Sequence, residues 1–470
     1  MAWIRRHARQ GMSATLLALA ACGGGRDLST PPASTLTGTV AYVVSECREN
    51  DRGYSVHQAI QIRQGDREPI TVMEVPDIGP LQSVGGLCKF VSSARYGPNF
   101  ISQGAVQRIA VSRDGLNVAF ELTDEFSLLG HDFLASERRG LFVVRADGSD
   151  LRRLGPPSRQ STSVLSPPIF SYLNDLEFSP DGRTLAFPDK GSGPDGFETS
   201  QLVLQDTVTE ARMAIIDLPP ATPSADVAPG FPEVCCPLFF DDTTVGFVTD
   251  ANVNGLNPQG RIIGVVVQTD GTGLKVPPLI ALPGSQINPT FFITGDRPTA
   301  VVLGIPGEAA HEAFLIDGDN VLQLTSFHLP DTGVRPGVVR ETIFLTAAAD
   351  PFGGNPSNNC QIFSVDRTGA NLRQLTHFQE TAHSRHGCDF NLPIGTGCSI
   401  QLLGQDATTQ AVLFYSSCDP LGSNANSGQI FAMRPDGTDL RQLTHTRGLI
   451  TEADGTVIGE FPGPFAFSGS

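Results

Sequence analysis

Gln429–Thr446 reads QIFAMRPDGTDLRQLTHT, and its design recurs along the chain. Ile430, Phe431 and Met433 form an apolar run. Asp436-Gly437 is a turn dipeptide whose Gly accepts φ > 0. Leu440 and Leu443 then resume the apolar side, so the stretch predicts two short strands around a turn. Leu141–Leu154 (LFVVRADGSDLRRL) and Ile362–Thr376 (IFSVDRTGANLRQLT) repeat it, with a Leu three and six residues after the Gly in each. Val265–Lys275 and Phe314–Thr325 are looser copies. A unit this small cannot bury its apolar face alone, so the chain is expected to be a repeat array.

A second hairpin precedes the first in each repeat. Leu176–Phe187 (LEFSPDGRTLAF) is its clearest form and Ile109–Phe120 (IAVSRDGLNVAF) its near twin. Leu238–Val248, Thr290–Leu303 and Ile400–Tyr415 are looser. The full unit is strand A, a tight turn, strand B, a variable loop, strand C, an Asp-Gly-type turn and strand D. Seven such units are expected: Thr37–Val75, Gln107–Pro157, Asn174–Pro220, Cys235–Pro283, Asn288–Phe327, Arg335–Phe378 and Ser399–Thr446. The first lacks a strand A, and Gly463–Ser470 (GPFAFSGS) reads as a spare one. In a ring these two facts explain each other, and closure would hide sheet edges.

FSPDGRTLAF and MRPDGTDLRQLTH resemble the repeats of the TolB-like β-propellers, a WD-repeat-like fold, and of the propeller domains of prolyl oligopeptidase relatives. The resemblance spans Thr37–Ser470. It implies an all-β, seven-bladed β-propeller of four-stranded antiparallel blades over residues 37–470, the ring closed by the C-terminal strand. Six or eight blades remain open. The nucleophile elbow Gly-x-Ser-x-Gly of the peptidases is absent, Gly191-Ser192-Gly193 being no substitute, so no catalytic residues carry over. No phosphate loop or dinucleotide fingerprint occurs either.

Residues 1–22 resemble a bacterial lipoprotein signal. Arg5, Arg6 and Arg9 form the basic region, and Met12–Ala21 is an apolar run too short to span a bilayer. Leu19-Ala20-Ala21-Cys22 ends it, which implies lipidation at Cys22. Gly23, where Asp would favour the inner membrane, points to the outer one. Residues 23–36 read as a flexible tether. The formal charge is −17; removing those three arginines from 32 basic residues leaves 29 against 49 acidic ones, near −20. With no basic run, nucleic acid is excluded as the expected partner. The expected role is a monomeric binding or scaffold module in the cell envelope, facing the periplasm, without cofactor. It would hold a protein or small ligand on one face. The alternative is a propeller-type enzyme, a lyase or a lactonase/hydrolase, acting on a glycan or lactone.

Eight cysteines follow Cys22, an even number in an exported chain, so disulfides are expected. All fall at the B–C and D–A loops, the longer set. The expected pairs are Cys47–Cys88, Cys360–Cys388 and Cys398–Cys418, with Cys235–Cys236 as a vicinal ring. Cys360–Cys418 with Cys388–Cys398 is the alternative. His383, His386 and Asp389 are the densest set of metal-ligand types, with His131-Asp132 as a distant supplement. His377 and His445 hold equivalent repeat positions, which predicts a structural role. Asp250, Asn252, Asn254 and Asn257 are spaced like oxygen ligands but predict a turn.

Overall fold

Alternating apolar positions in runs of four to seven residues, cut by Gly, Asp and Asn, leave this chain little but strands to form. The computed structural model describes residues 36–81, 88, 106–123, 138–159, 175–192, 198–218, 234–255, 257, 263–276, 299–304, 310–317, 320–329, 334–378, 388, 400–423 and 428–469. Among them no helix is long and apolar enough to cross a membrane. The strands form seven antiparallel sheets. The second sheet holds β4 (Val106–Val111), β5 (Asn117–Leu122), β6 (Gly140–Arg145) and β7 (Arg152–Gly155) in chain order. The third holds β8 (Glu177–Phe178), β9 (Thr184–Ser192), β10 (Glu198–Asp206) and β11 (Arg212–Leu218). The fourth holds β12 (Cys235–Asp241), β13 (Thr244–Thr249) and β14 (Ile263–Gln268), and the fifth β15 (Thr299–Gly304), β16 (His311–Asp317) and β17 (Asn320–Gln323). The sixth is β18 (Val334–Val339), β19 (Thr342–Ala347), β20 (Gln361–Asp366) and β21 (Arg373–Gln374). The seventh is β22 (Ile400–Gln405), β23 (Val412–Ser416), β24 (Gln429–Met433) and β25 (Arg441–Gln442).

The first sheet joins the two ends of the chain. β1 (Thr39–Asn50), β2 (Gly53–Gln64) and β3 (Ile70–Leu81) are extended by β27 (Val457–Phe467), which pairs with β1 from Val40↔Phe467 to Glu49↔Val457. A further strand, β26 (Gly448–Thr451), pairs with the start of β27. The C-terminal strand therefore begins at Val457, not Gly463. Its Asp454-Gly455 turn is closed by Asp454 accepting the N–H of Thr456 at 2.9 Å.

Two other boundaries depart from the sequence reading. β9 runs past the Leu176–Phe187 hairpin through Pro188 to Ser192, and β10 begins at Glu198. On its other side β9 pairs with the two-residue β8 only at Leu185 and Ala186, so Pro188 lacks an N–H where no ladder bond is needed. β3 continues past Val75 to Leu81; it is the outer strand of its sheet, where Pro76 and Pro80 are tolerated.

The C–D turns carry the repeat from one sheet to the next. Gly437 has φ 86°, and a Cβ there would meet the Leu375 carbonyl oxygen at 2.4 Å, so the turn of the seventh sheet rests on the outer strand of the sixth. Gly369 meets Gln323, Gly271 meets Ile215 and Gly148 meets Ile70 in the same way. Of the two leucines that follow these glycines, the second is the core residue. Leu154, Leu375 and Leu443 are 5%, 8% and 2% exposed, whereas Leu151 is 40% exposed. Six apolar clusters lie between consecutive sheets, and one of them joins the seventh to the first through Val40, Tyr42, Leu413, Ile430, Leu443 and Phe467.

Candidate functional site

Each sheet runs up and down, so its A–B and C–D turns lie at one end and its B–C and D–A connections at the other. The bonded cysteines mark the second end. Cys47 lies near the end of β1 and is joined to Cys88, their Cα atoms 5.5 Å apart. Cys360 directly precedes β20 and is joined to Cys388, with Cα atoms 4.8 Å apart. That bond leaves no place for the alternative Cys360–Cys418 pairing. Cys235 and Cys236, at the start of β12, are joined to each other. Cys418, two residues after β23, is disulfide-bonded. Cys398 lies outside the described residues, as do Cys22, His383, His386, Asp389, His131 and Asp132.

A buried charged cluster stands at the same end, between the second, third and fourth sheets. Arg108 on β4 is 3% exposed and donates from Nη1 to Glu121 Oε2 on β5 at 2.9 Å. Its Nε lies 3.9 Å from the carboxylate of Asp175, just before β8. Burial pushes the Glu121 carboxyl above the ordinary carboxylate range, against the pull of Arg108 and of the Ser158 N–H. Burial also pushes Asp175 up, against Arg108 and the N–H that Cys236 donates to it. Asp189 on β9 accepts from Arg212 of β11 and from the Arg159 N–H at 2.6 Å. Arg212 also donates to the Pro156 carbonyl at 3.0 Å and lies over the Phe187 ring.

The cluster holds a loop in place. Pro156–Arg159 leaves β7 for the D–A connection, and its amides and carbonyls are gripped from both sides: Ser158 N–H by Glu121, Ser158 Oγ by the Pro188 carbonyl at 2.7 Å, Arg159 N–H by Asp189. Other sheets grip the same place with one residue at the start of strand C. Gln361 accepts from Thr376 Oγ1 and from the Phe378 N–H at 2.8 and 2.9 Å. Gln429 does so with Thr444 and Thr446, and Glu312 with Thr325 and His328. Arg108 and Glu121 face each other across the β4–β5 hairpin, but Asp175, Asp189 and Arg212 come from the third sheet, so no single local motif announces the cluster.

His377 and His445 behave alike, each ring Nδ1 lying 3.1 Å from the Nε2 of a glutamine three residues earlier, Gln374 and Gln442. The Asn-rich B–C loops are turns. The Asn257 N–H donates to Asn252 Oδ1, and its side-chain amide donates to the Asp250 and Ala251 carbonyls. Asn355 repeats this with Asp350 and the Ala349 carbonyl, at the same five-residue spacing. Phe352 and Leu421, inside two such loops, are 57% and 47% exposed.

No family model matches the sequence, and no curated protein does. Among solved structures the chain is similar to the β-propeller domain of the trilobed protease from Pyrococcus furiosus, at 12% identity and TM-score 0.43, covering 88% of this chain and 98% of that one. It is similar to TolB from Acinetobacter baumannii at 14% identity and TM-score 0.36, covering 91% and 82%. It is also similar to an oligogalacturonate lyase from Vibrio parahaemolyticus at 10% identity and TM-score 0.40, covering 79% and 87%. At these identities no residue role carries over from any of them.

Proposed function

We propose that the chain is a seven-bladed β-propeller closed by its C-terminal strand, held by a lipid on Cys22 at the periplasmic side of the outer membrane, and that it binds a protein or small ligand on its long-loop face without catalysing a reaction. Seven sheets and the pairing of β27 with β1 support the ring. The binding reading is carried by one observation: the described disulfides and the Arg108–Asp189 cluster are built at the long-loop end, where they tie Cys88, Cys388 and Pro156–Arg159 to the sheets. Fixed loops lower the ordering cost of binding, which is how a rigid surface gains affinity. On the opposite end the turns are short and are used up in contacts between sheets.

Photo-crosslinking in intact envelopes tests the face. A crosslinking residue placed at Phe352 or Leu421 captures a partner, while one at Leu116 or Val208, in exposed short turns of the other end, does not. Capture from Leu116 or Val208 alone overturns the assignment. Cys22→Ser releases the protein from membranes, and persistent membrane association overturns the anchor.

A further inference from the structure

The vicinal cysteines have a third neighbour. An Asp175 carboxylate oxygen and the two sulfurs of Cys235 and Cys236 all lie within 4.8 Å of one another. They come from two sheets, Asp175 from just before β8 and the cysteines from the first residues of β12. Cys235 and Cys236 are 3% and 2% exposed, whereas the Asp175 side chain is 25% exposed, so the carboxylate stands on the open side. Cys236 holds φ 64°, a backbone region that residues other than Gly, Asn and Asp seldom adopt. The position is thus held by the ring the two cysteines close.

We propose that Asp175, Cys235 and Cys236 form a redox-gated site for a thiophilic divalent cation of the Zn2+ type. In the oxidised state the sulfurs are bonded to each other and offer no ligand. A dithiol reductant transfers two electrons and two protons to the pair, its own sulfurs joining as a disulfide while the Cys235–Cys236 bond breaks into two thiols. Binding of the ion then releases both thiol protons. Two sulfurs and one oxygen make a three-donor set with a fourth position open to water. Tetrahedral bonds of about 2.3 Å place two sulfurs roughly 3.7 Å apart, so the sulfurs must separate on reduction, while the carboxylate oxygen already lies within 4.8 Å of both. Two thiolates and the carboxylate carry three negative charges against two on the ion, and Arg108, which Asp175 shares with Glu121, lies 3.9 Å from Asp175. The ion would replace a bond between neighbours in sequence with a tie between two sheets.

The test uses the purified full chain. It is reduced without denaturant by a phosphine, which does not chelate as a dithiol does, and titrated with Co2+, whose thiolate charge-transfer absorption reports sulfur ligation. Zn2+ affinity follows from competition. The reduced protein is expected to bind one ion with thiolate absorption and the oxidised protein none at this site. Asp175→Asn should weaken binding at least as much as the roughly 10–100-fold that loss of an outer-shell partner costs. Cys235→Ser/Cys236→Ser should abolish the thiolate bands; Cys236→Ser alone, a smaller change, should halve the thiolate absorption if the double variant does not fold. Failure of the native reduced chain to bind Co2+, equal affinity in Asp175→Asn, or undiminished thiolate bands in the serine variants each overturns the proposal.

Discussion

Asp406 sets a measurable term in the junction of the two chain ends. It lies in the turn between β22 and β23 and is 1% exposed. Its carboxylate accepts the Thr37 N–H at 2.8 Å, the Gly38 N–H at 2.6 Å and the Thr37 hydroxyl at 2.8 Å, all just ahead of β1. It also accepts the N–H groups of Thr408 and Thr409 in its own turn. Burial alone would raise its pKa, but the donors at Thr409, Gly38 and Thr37 outweigh that and hold it at about 2, from an ordinary 3.8. At about 1.36 kcal/mol per unit the full displacement is worth roughly 2.5 kcal/mol, which solvent screening at a turn reduces to about 1–2 kcal/mol. A depressed pKa gives stability that is fully present above the unfolded value and lost as pH falls through the folded one. The contribution is therefore complete above about pH 4 and decays toward pH 2. Asp406→Asn keeps the shape but turns an NH2 toward amide donors. The expected loss is about 2–3 kcal/mol at pH 7, read as a lower urea midpoint. Near pH 2 the difference from the parent chain should shrink by the titrated share. Equal midpoints at pH 7, or a gap that ignores pH, would refute the reasoning.

Four further substitutions test other parts of the account. Gly437→Ala places a Cβ against the Leu375 carbonyl at positive φ and should cost at least ~2 kcal/mol in thermal unfolding; a loss under about 0.5 kcal/mol would contradict the turn-on-strand contact. Leu154→Ala should cost about 2–4 kcal/mol while Leu151→Ala, in the same motif, stays within about 0.5 kcal/mol, and a reversed order would sink the burial assignment. Gln429→Ala orphans the buried Thr444 hydroxyl and the Thr446 amide, and urea unfolding should register about 2–3 kcal/mol. Arg108→Met leaves Glu121 charged and buried, for about 3–5 kcal/mol; adding Glu121→Gln should recover much of it, and simple additivity of the two losses would rule out the pair.

The turns were the most legible feature. Asp436-Gly437-Thr438 fixes its own geometry, since Asp436 Oδ1 accepts from both the amide and the hydroxyl of Thr438 and Gly437 takes φ 86°. Asp147-Gly148-Ser149 and Asp270-Gly271-Thr272 do the same. That information is local, so sequence carries it. The same signal at Asp454-Gly455-Thr456 marks the turn between the four-residue β26 and the long β27. Strand limits at Pro188 and Pro76 misled, since proline forbids a ladder bond only where a neighbour offers one. The charged cluster was not legible at all. Arg108 lies on the second sheet and Asp175, Asp189 and Arg212 on the third, and the stacking of the two sheets brings Arg108 beside Asp175.

The junction of first and seventh sheets is where the two ends of the described chain meet. Consecutive sheets are joined by apolar packing, by glycine contacts and, between the second and third, by Arg108 beside Asp175 and Arg212 on the Pro156 carbonyl. Where β27 meets β1, the two ends of the described chain must come together, and closing a loop this long costs entropy that packing must offset. Polar ties stand there too. Asp406, Arg63 on the Leu443 carbonyl at 3.0 Å and Arg441 with Asp66 join the first and seventh sheets, while Arg447 bridges Glu46 and Glu460 within the first. The first sheet's turn at Gly65 also sits against the Leu36 carbonyl, a Cβ there falling 2.5 Å away. Exposed ion pairs add little apiece, but their geometry selects the register in which β27 meets β1. A one-residue slip would turn Phe467 and Phe461 away from their core. The charged ties at this seam thus favour the register in which β27 meets β1, while the apolar cluster around Val40, Ile430 and Phe467 packs the first sheet against the seventh.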